Sequence, residues 1–391
     1  MSVAVERDEQ LIEAVRTIAR DVAGPNAADV DYRARFPVET IDALREVRAL
    51  SAPVPEEFGG AEASFDTIAE CCFELGRYCG ASAMVYAMHQ IQLITIIRHL
   101  GDDEWFNQYL REVVAEQRLI ASVTSEVGTG GDMSRSIASV NPEGDGHSSF
   151  EKQAPTVSYG AHSDDLLTTL RRAPEAEPGD QVSVLTRTKD TELEPTGTWD
   201  VIGMRGTCSP GYIVRAKFPT EQTLTAPFAK VAAESMVPIS HILWSHLWLG
   251  IATDAFDRAR AFVRAAAKQN SGAPPPVAVR LSHLMSKLSL LRAEIDSARR
   301  DFIVMSAEPG RERLSTMAAV LRFNNLKIAA SEQTAEICRA ALDVCGIMGF
   351  KNDTPYSTGR HLRDTMSASL MIANERIHQT NASLLLIAKE V

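Results

Sequence analysis

The stretch "RHLRDTMSASLMIANERIHQ", residues 360–379, places a charged loop directly ahead of an apolar run near the end of the chain. Two arginines, an aspartate and a histidine precede the run, and Glu375 is the one acidic residue inside it. A carboxylate in an apolar helix can act as a proton-abstracting base, or it can pair with a neighbouring arginine on an exposed face. Both interpretations of Glu375 are open at the level of sequence.

The composition is that of a folded protein with an acidic surface. Its 391 residues are 45% apolar, enough to bury one large core or several joined layers. A formal net charge of -11, with no dense run of lysine or arginine, argues against nucleic acid and an anionic membrane as partners. We expect no membrane-spanning stretch, and the acidic N-terminus lacks a signal-peptide core, so we predict a cytoplasmic protein. The six cysteines form no CxxC pair, and neither disulfides nor a zinc site is expected.

Hydrophobic periodicity divides the chain into three parts. Segments such as "LIEAVRTIARDVA" carry apolar residues three and four apart, which predicts a helical domain over residues 1–118. Short alternating runs such as "VSVLTRT" and "YIVRAKF", separated by Gly, Pro and Asp, predict a β domain over residues 119–230. Helical patterns return over residues 231–391. The predicted class is α+β, mostly α.

Four local strings carry a family resemblance through their order and spacing. They are "RFPVETIDALREVRALSAPVPEEFGG" (35–60), "SVTSEVGTGGDM" (122–133), "WDVIGMRGTCSPG" (199–211) and "ALDVCGIMGF" (341–350), the last followed by "RHLRD". Together they resemble the acyl-CoA dehydrogenase family over nearly the whole chain. The resemblance implies an α-helical N-domain, a middle β-barrel or sandwich domain and a C-terminal four-helix bundle. It also implies a homodimer or homotetramer with FAD at the subunit interface.

The glycine-rich string is the first candidate binding segment. Glycines allow a backbone to approach a flat or anionic ligand closely, and Ser125 adds a hydroxyl, although such turns are also common between strands. The resemblance implies that four residues of this string line the isoalloxazine ring and the thioester, with a fifth in a second flavin-facing segment: Thr124, Ser125, Gly130, Gly131 and Ser158. The tryptophan that shields the ring in the family is absent from that second segment.

The positions that hold the outer half of FAD depart further from the family pattern. Where the family has an arginine for the pyrophosphate, this chain has Ala266, and Lys268 is the nearby point charge that could substitute. The segment that contacts the adenosine part keeps Gly346 but has Asp343 in place of a glutamine. FAD is the expected cofactor, although the positions that would bind its pyrophosphate and adenosine parts keep few of the family's residues.

The expected catalytic glutamate is missing from its family position. The family supplies the base nine residues after the arginine of an Arg-Asp pair, and counting from Arg363 leads to Ile372. Glu375 lies three residues further on, less than one helical turn away, so a small shift in register could bring it to the same pocket. Some relatives place the base on the first helix of the C-terminal domain, where this chain has His241. A buried histidine of this kind is either a base or a hydrogen-bonded core residue.

Two functional hypotheses follow. The first is an enzyme: an FAD-dependent oxidoreductase that acts on an acyl thioester of coenzyme A or an acyl-carrier protein. It would abstract the α-proton with a non-standard base and transfer hydride to the flavin. The alternative is a non-redox or non-flavin member of the fold, such as a catalytically silent partner subunit of a heteromeric dehydrogenase. Neither the acyl group nor the electron acceptor is identified by the sequence.

Overall fold

The N-terminal part of the chain is helical. The computed structural model describes residues 3–269 and 273–387. Ser64 and Asp103 begin two of the helices by accepting hydrogen bonds from the backbone N–H groups of Thr67 and Phe106, which satisfies free donors of the first turn. The six helices are α1 (Val3–Ile18), α2 (Gly24–Arg33), α3 (Val38–Glu46), α4 (Phe65–Gly76), α5 (Gly80–His99) and α6 (Glu104–Glu116), with a π-helical turn at Ala19–Ala23.

The middle part consists of two four-stranded sheets. One sheet has the order β1-β4-β5-β8 and the other β2-β3-β7-β6; β1 and β4 are parallel, and the other pairs are antiparallel. Strand β3 alternates between exposed and covered side chains, as expected for a sheet with one solvated face. The strands are β1 (Ile120–Val123), β2 (Asn141–Gly144), β3 (His147–Ala154), β4 (Asp165–Arg171), β5 (Gln181–Arg187), β6 (Thr191–Pro195), β7 (Tyr212–Pro219) and β8 (Thr223–Leu224).

Long helices return in the C-terminal part. Helices α8, α9 and α10 pack on one another, and α13 packs on α10. A π-helical turn at Ala232–Met236 leads into α8. The helices are α7 (Phe228–Val231), α8 (Val237–Gln269), α9 (Ala278–Ser306), α10 (Met317–Cys345), α11 (Ile347–Phe350), α12 (Gly359–Met366) and α13 (Asn374–Ile387). The predicted order of helices, sheets and helices is therefore confirmed.

The N-terminal and C-terminal helices share one core because α4 packs closely against α8. A Cβ atom at Gly76 would lie 2.3 Å from the carbonyl oxygen of Leu247, and one at Gly250 would lie 2.3 Å from the carbonyl oxygen of Phe73. Only glycine at both positions allows the two backbones to approach this closely.

Helix α5 crosses the middle of this core. Contrary to the sequence-based expectation, it has the length and mean hydropathy of a membrane span, and it is the one helix within residues 3–269 and 273–387 that does. However, 89% of its apolar window is buried inside the protein, as in the core helix of a folded domain. Its hydrophobic character therefore reflects burial on all sides.

Candidate functional site

A cavity of about 660 Å³ lies where the three parts of the chain meet. Its walls come from α5, from the loops of the sheet part, from the start of α8, and from the segment that joins α12 to α13. Most of the lining is apolar and rich in methionine, which adapts to ligands of different shapes. The apolar lining includes Met84, Met88, Ile91, Met133, Trp199, Met204, Met236, Trp244, Met366, Leu370, Met371 and Ile372.

The glycine loop, residues 124–133, forms one side of the cavity. The backbone φ angles of Gly128, Gly130 and Gly131 are 90°, 64° and 84°, and residues other than glycine rarely adopt such positive values. Buried Glu126 holds the loop from beneath by accepting hydrogen bonds from the Oγ of Ser136 (2.6 Å) and from the backbone N–H groups of residues 137 and 138. The loop is therefore fixed in a conformation that leaves its backbone accessible to a ligand.

A buried lysine braces the same loop. Lys152 on β3 donates from Nζ to the carbonyl oxygen of Thr169 at 2.6 Å and to that of Thr124 at 3.4 Å, and it lies 3.8 Å from a Glu126 oxygen. Burial lowers the pKa of the Lys152 ammonium to about 8, although the nearby Glu126 carboxylate opposes this shift.

A row of hydroxyl groups lies beside the glycine loop. We name this row the hydroxyl wall; it consists of Thr124, Ser125, Thr156, Ser158 and Ser209, all of which line the cavity. Ser125 donates to the carbonyl oxygen of Thr156 at 2.8 Å, and Ser209 donates to the Oγ of Ser158 at 2.9 Å. Hydroxyls can donate and accept, so this wall can bind the heteroatoms of a flat polar ring. Predicted residues Thr124, Ser125 and Ser158 are thus brought together with Gly130 and Gly131.

Arg376 lies against the glycine loop at the rim of the cavity and was missed by the sequence analysis. Its guanidinium approaches the loop so closely that a Cβ atom at Gly130 would be 3.1 Å from Nη2. Within residues 3–269 and 273–387, Arg376 has neither a salt-bridge partner nor a side-chain hydrogen bond. Its charge also interacts with the Asp132 carboxylate, whose pKa is lowered by a hydrogen bond from Ser134 and, to a lesser extent, by Arg376. A half-buried guanidinium beside the exposed Gly130 and Gly131 is suited to an anion such as a phosphate.

The segment that carries the family's catalytic position enters the cavity at Ile372. This residue lines the cavity and has φ 44°, a strained conformation for a β-branched residue. Helix α13 begins two residues later, and the side chain of Glu375 is exposed and outside the cavity lining. The register shift that would have brought Glu375 into the pocket is absent from this structure, and nothing else in the stretch supplies a carboxylate to the cavity.

His241 is buried next to the cavity but does not line it. Its Nδ1 hydrogen-bonds to the carbonyl oxygen of Phe323 at 3.1 Å, so this nitrogen carries the proton. Burial, aided by the charge of Lys327, lowers the pKa of the His241 imidazole to about 3. The ring is therefore neutral at physiological pH, and such a weak base suits a packed core position better than proton abstraction.

The residues predicted for the outer half of FAD lie elsewhere. Lys268, Asp343 and Gly346 are exposed at the C-terminal ends of α8 and α10, and the cavity lining does not include them. Asp343 pairs with Arg339 at 3.3 Å. A single chain therefore does not bring these three positions to the glycine loop.

The Arg-Asp pair of the opening stretch joins all three parts of the molecule. Arg363 forms a salt bridge with Asp31 of α2 and donates to the carbonyl oxygen of Ile202 at 2.9 Å. Asp364 is buried and accepts a hydrogen bond from the backbone N–H of Met204 at 2.7 Å. Burial raises the pKa of the Asp364 carboxyl to about 6. The pair thus fixes the wall of the cavity.

Comparison with known proteins agrees with this architecture. A family model described as "Acyl-CoA dehydrogenase, N-terminal domain" matches residues 5–117. The probable acyl-CoA dehydrogenase YngJ of Bacillus subtilis (strain 168) is 23% identical over 369 residues, which cover 93% of this chain and 94% of that protein. These similarities support membership of the acyl-CoA dehydrogenase family. The similarity to YngJ extends through the sheets and the C-terminal helices, well beyond the segment that the family model matches.

Solved structures share the fold of this chain. FMN-bound TdsC from Paenibacillus sp. A11-2 superposes with a TM-score of 0.83 at 17% identity and covers 96% of this chain and 97% of its own. KijD3, in complex with FMN and a dTDP-linked amino-keto sugar, has a TM-score of 0.84 at 21% identity, with 100% and 95% covered. At these identities the likeness establishes the fold alone.

The cavity lining is poor in carboxylates. Among the lining residues that the structure describes, Asp132 is the one carboxylate. It is partly exposed, and its Oδ1 already accepts hydrogen bonds from the backbone N–H and the hydroxyl of Ser134. The hydroxyl wall, the glycine loop and Arg376 fit a flavin ring and its phosphate, whereas the described lining has no dry carboxylate that could serve as a base.

Proposed function

We propose that this chain is a flavin-dependent oxidoreductase that binds the flavin ring against the hydroxyl wall and a small, largely apolar substrate in the remaining cavity. A volume of about 660 Å³ falls in the range of small-molecule and cofactor sites. The FMN complexes of TdsC and KijD3, which share the fold, support a flavin cofactor.

Each part of the site has a role in binding the flavin. The hydroxyls of Thr124, Ser125 and Ser158 would hydrogen-bond the heteroatoms of the ring, and the glycine loop would allow the backbone to approach it. Arg376 would bind the phosphate with its fork of donors. A bound flavin supplies two-electron chemistry, either accepting hydride from a substrate or, once reduced, passing electrons to dioxygen.

The reaction type follows from the lining of the cavity. Removing an α-proton from a thioester needs a carboxylate in a dry pocket, but Ile372 occupies the family's position for it. Oxygenation of a neutral substrate by a reduced flavin requires no such base. We therefore infer that the chain is a flavin-dependent monooxygenase. A second crystal structure of TdsC, a dibenzothiophene monooxygenase, superposes on this chain with a TM-score of 0.79, which supports the inference.

A second candidate is FAD-dependent dehydrogenation of an acyl-CoA or acyl-carrier-protein thioester. The full-length similarity to YngJ favours it, and so does Asp364, a buried carboxyl whose pKa of about 6 suits a general base. However, Asp364 is engaged with the N–H of Met204 and does not line the cavity. In this case FAD would need Lys268, Asp343 and Gly346 from a second subunit, in a homodimer or homotetramer.

Reconstitution separates these candidates. The purified protein is incubated with FMN or with FAD, freed of excess flavin and examined for a flavin absorbance band. A monooxygenase, once its flavin is chemically reduced, should consume dioxygen and oxygenate a small aromatic sulfide or amine. A dehydrogenase should instead show anaerobic bleaching of oxidised flavin by an acyl-CoA panel. Protein that acquires a band with neither flavin would contradict both candidates and favour a non-flavin member of the fold.

A further inference from the structure

Two polar side chains line the cavity with buried atoms that have no partner. Gln92 of α5 is 3% exposed, and its Oε1 atom is buried without a hydrogen bond in the described part of the chain. Trp244 of α8 is 6% exposed, and its Nε1–H group is likewise buried and unpaired there. Buried polar groups are nearly always hydrogen-bonded in native proteins, so a missing partner at a cavity wall points to a ligand.

The packing of α5 against α8 places these two lining residues at neighbouring levels of the two helices. A Cβ atom at Gly80 would lie 3.0 Å from Cδ1 of Ile251, and the Nε2 of His99 hydrogen-bonds the Oγ of Ser235 at 2.9 Å. These contacts show that the helices run antiparallel. Interpolation between them puts Gln92 about level with residue 241, so Trp244 lies three residues, about 4.5 Å, farther along α8.

The surroundings of this pair decide what kind of group it can bind. Met84, Met88 and Met236 line the neighbouring walls, and the hydroxyl of Ser240 already donates to the carbonyl oxygen of Val237 at 2.8 Å. The charged lining residues, Asp132, Arg363 and Arg376, belong to the glycine loop and the α12–α13 region. A charged group between α5 and α8 would therefore be desolvated without a partner, so a neutral group is favoured.

We propose that Gln92 and Trp244 form a polar subsite that binds a neutral hydrogen-bonding group, such as a primary amide or a hydroxyl, at one end of an otherwise apolar substrate. The Gln92 oxygen accepts from the N–H or O–H of this group, and the Trp244 indole donates to its oxygen. This subsite rests on the proposed function in one respect, namely that the cavity binds the substrate. A plain saturated acyl chain would not be the best ligand for the part of the cavity next to Gln92 and Trp244, because it offers no hydrogen-bonding group.

The test uses three probes of nearly equal shape: phenylacetamide, which donates and accepts; phenylacetone, which only accepts; and isobutylbenzene, which does neither. Their dissociation constants are measured by calorimetry on the full chain, both as purified and after flavin reconstitution. We expect phenylacetamide to bind roughly fivefold more tightly than phenylacetone, the effect of one hydrogen bond. Gln92→Met should abolish this preference, and Trp244→Phe should weaken both carbonyl ligands, while isobutylbenzene binds each variant as it binds the wild type.

A spectroscopic measurement on the wild type keeps the test independent of how well the variants fold. In protein labelled with ¹⁵N-tryptophan, the indole N–H signal of Trp244 should shift on addition of phenylacetamide and stay in place with isobutylbenzene. Equal affinity for the three probes, an unmoved indole signal, or an unchanged preference in both variants would overturn the subsite. If an ordered water normally occupies the space between Gln92 and Trp244, the three probes should bind with equal affinity. Failure to bind flavin would contradict the proposed function without changing the probe result for the purified protein.

Discussion

Lys327 donates a hydrogen bond from Nζ to the backbone carbonyl oxygen of Ile372 at 2.9 Å. The lysine is buried in α10, and the same nitrogen donates to Oδ1 of Asn374 at 2.7 Å. These two bonds hold a β-branched residue at positive φ, in the position where the family places its catalytic glutamate. The part of the cavity wall that Ile372 forms therefore depends on one buried cation.

Replacing this lysine should loosen that wall. Lys327→Met removes both bonds while filling a similar volume. We expect it to lower the free energy of unfolding by about 2 kcal/mol, because the Ile372 carbonyl loses its donor and Oδ1 of Asn374 keeps only the Oγ of Ser331 at 3.3 Å. Urea denaturation measures the change. Lys287→Met, which removes an exposed salt bridge to Glu336, is the control and should change stability by less than about 0.5 kcal/mol. Equal effects of the two substitutions would refute the bracing role of Lys327.

The buried carboxyl of Asp364 should make stability depend on pH. Its pKa of about 6 is above that of an unfolded aspartate, so the native state binds the proton more tightly. This group's contribution is fully present below about pH 4 and is lost as the pH rises through 6. Asp364→Asn keeps an acceptor for the Met204 N–H but does not titrate. Relative to this variant, the wild type should lose about 2 kcal/mol between pH 4 and pH 7.

Unfolding free energies of both proteins at several pH values measure this difference. The exposed Asp200 provides the matched control, because Asp200→Asn should follow the wild type across the same range. A pH-independent difference between the wild type and Asp364→Asn would show that the native state does not favour the protonated carboxyl.

Arg376 should contribute to flavin affinity. Arg376→Gln removes the guanidinium beside Gly130 and should weaken FMN binding about tenfold, since a charge-assisted bond to phosphate is lost. Fluorescence quenching of FMN measures the affinity, with riboflavin, which has no phosphate, as the second ligand. Arg376→Gln should leave riboflavin binding unchanged. Arg33→Gln, at an exposed position, is the control and should leave the binding of both FMN and riboflavin unchanged. If the riboflavin affinity also falls tenfold, Arg376 acts by stabilising the glycine loop and not by binding the phosphate.

Glu375 should be dispensable for catalysis. Its side chain is exposed outside the cavity, so Glu375→Gln is expected to leave flavin binding, stability and turnover within about twofold of the wild type. Single-turnover kinetics with the reconstituted enzyme provide the measurement. A loss of turnover greater than tenfold would restore Glu375 as a candidate base and would require a different conformation of residues 367–374 in the active enzyme.

The crossing of α4 and α8 should not tolerate a side chain at Gly76. Gly76→Ala would place a methyl group 2.3 Å from the carbonyl oxygen of Leu247, and separating the two backbones should cost about 3 kcal/mol. Thermal unfolding monitored by circular dichroism provides the comparison. Gly197→Ala is the control because a Cβ atom there meets no atom within 4 Å. An unchanged melting temperature for Gly76→Ala would mean that the helices do not approach this closely.

Sequence reasoning succeeded where the signal was local. Period-3.6 and period-2 patterns predicted the order of helices and strands, because these periods reflect which face of an element is buried. The glycine loop and Ser158 were proposed from short strings, and they lie together at the cavity. Ile372, the position reached by counting nine residues from Arg363, lines the cavity. Sequence reasoning did not foresee that Glu375 would lie in the first turn of a helix and outside the cavity.

The sequence by itself determined the three-part fold and the loss of a carboxylate at position 372, since both are written in residue type and spacing. Only the tertiary structure decided which distant residues meet. Arg376 reaches the glycine loop, Lys327 holds Ile372, and Gln92 faces the same cavity as Trp244 because α5, α8, α10 and the α12–α13 segment pack at particular angles and registers. Such contacts depend on how whole elements fill a shared core, and periodicity within a single element carries no information about that.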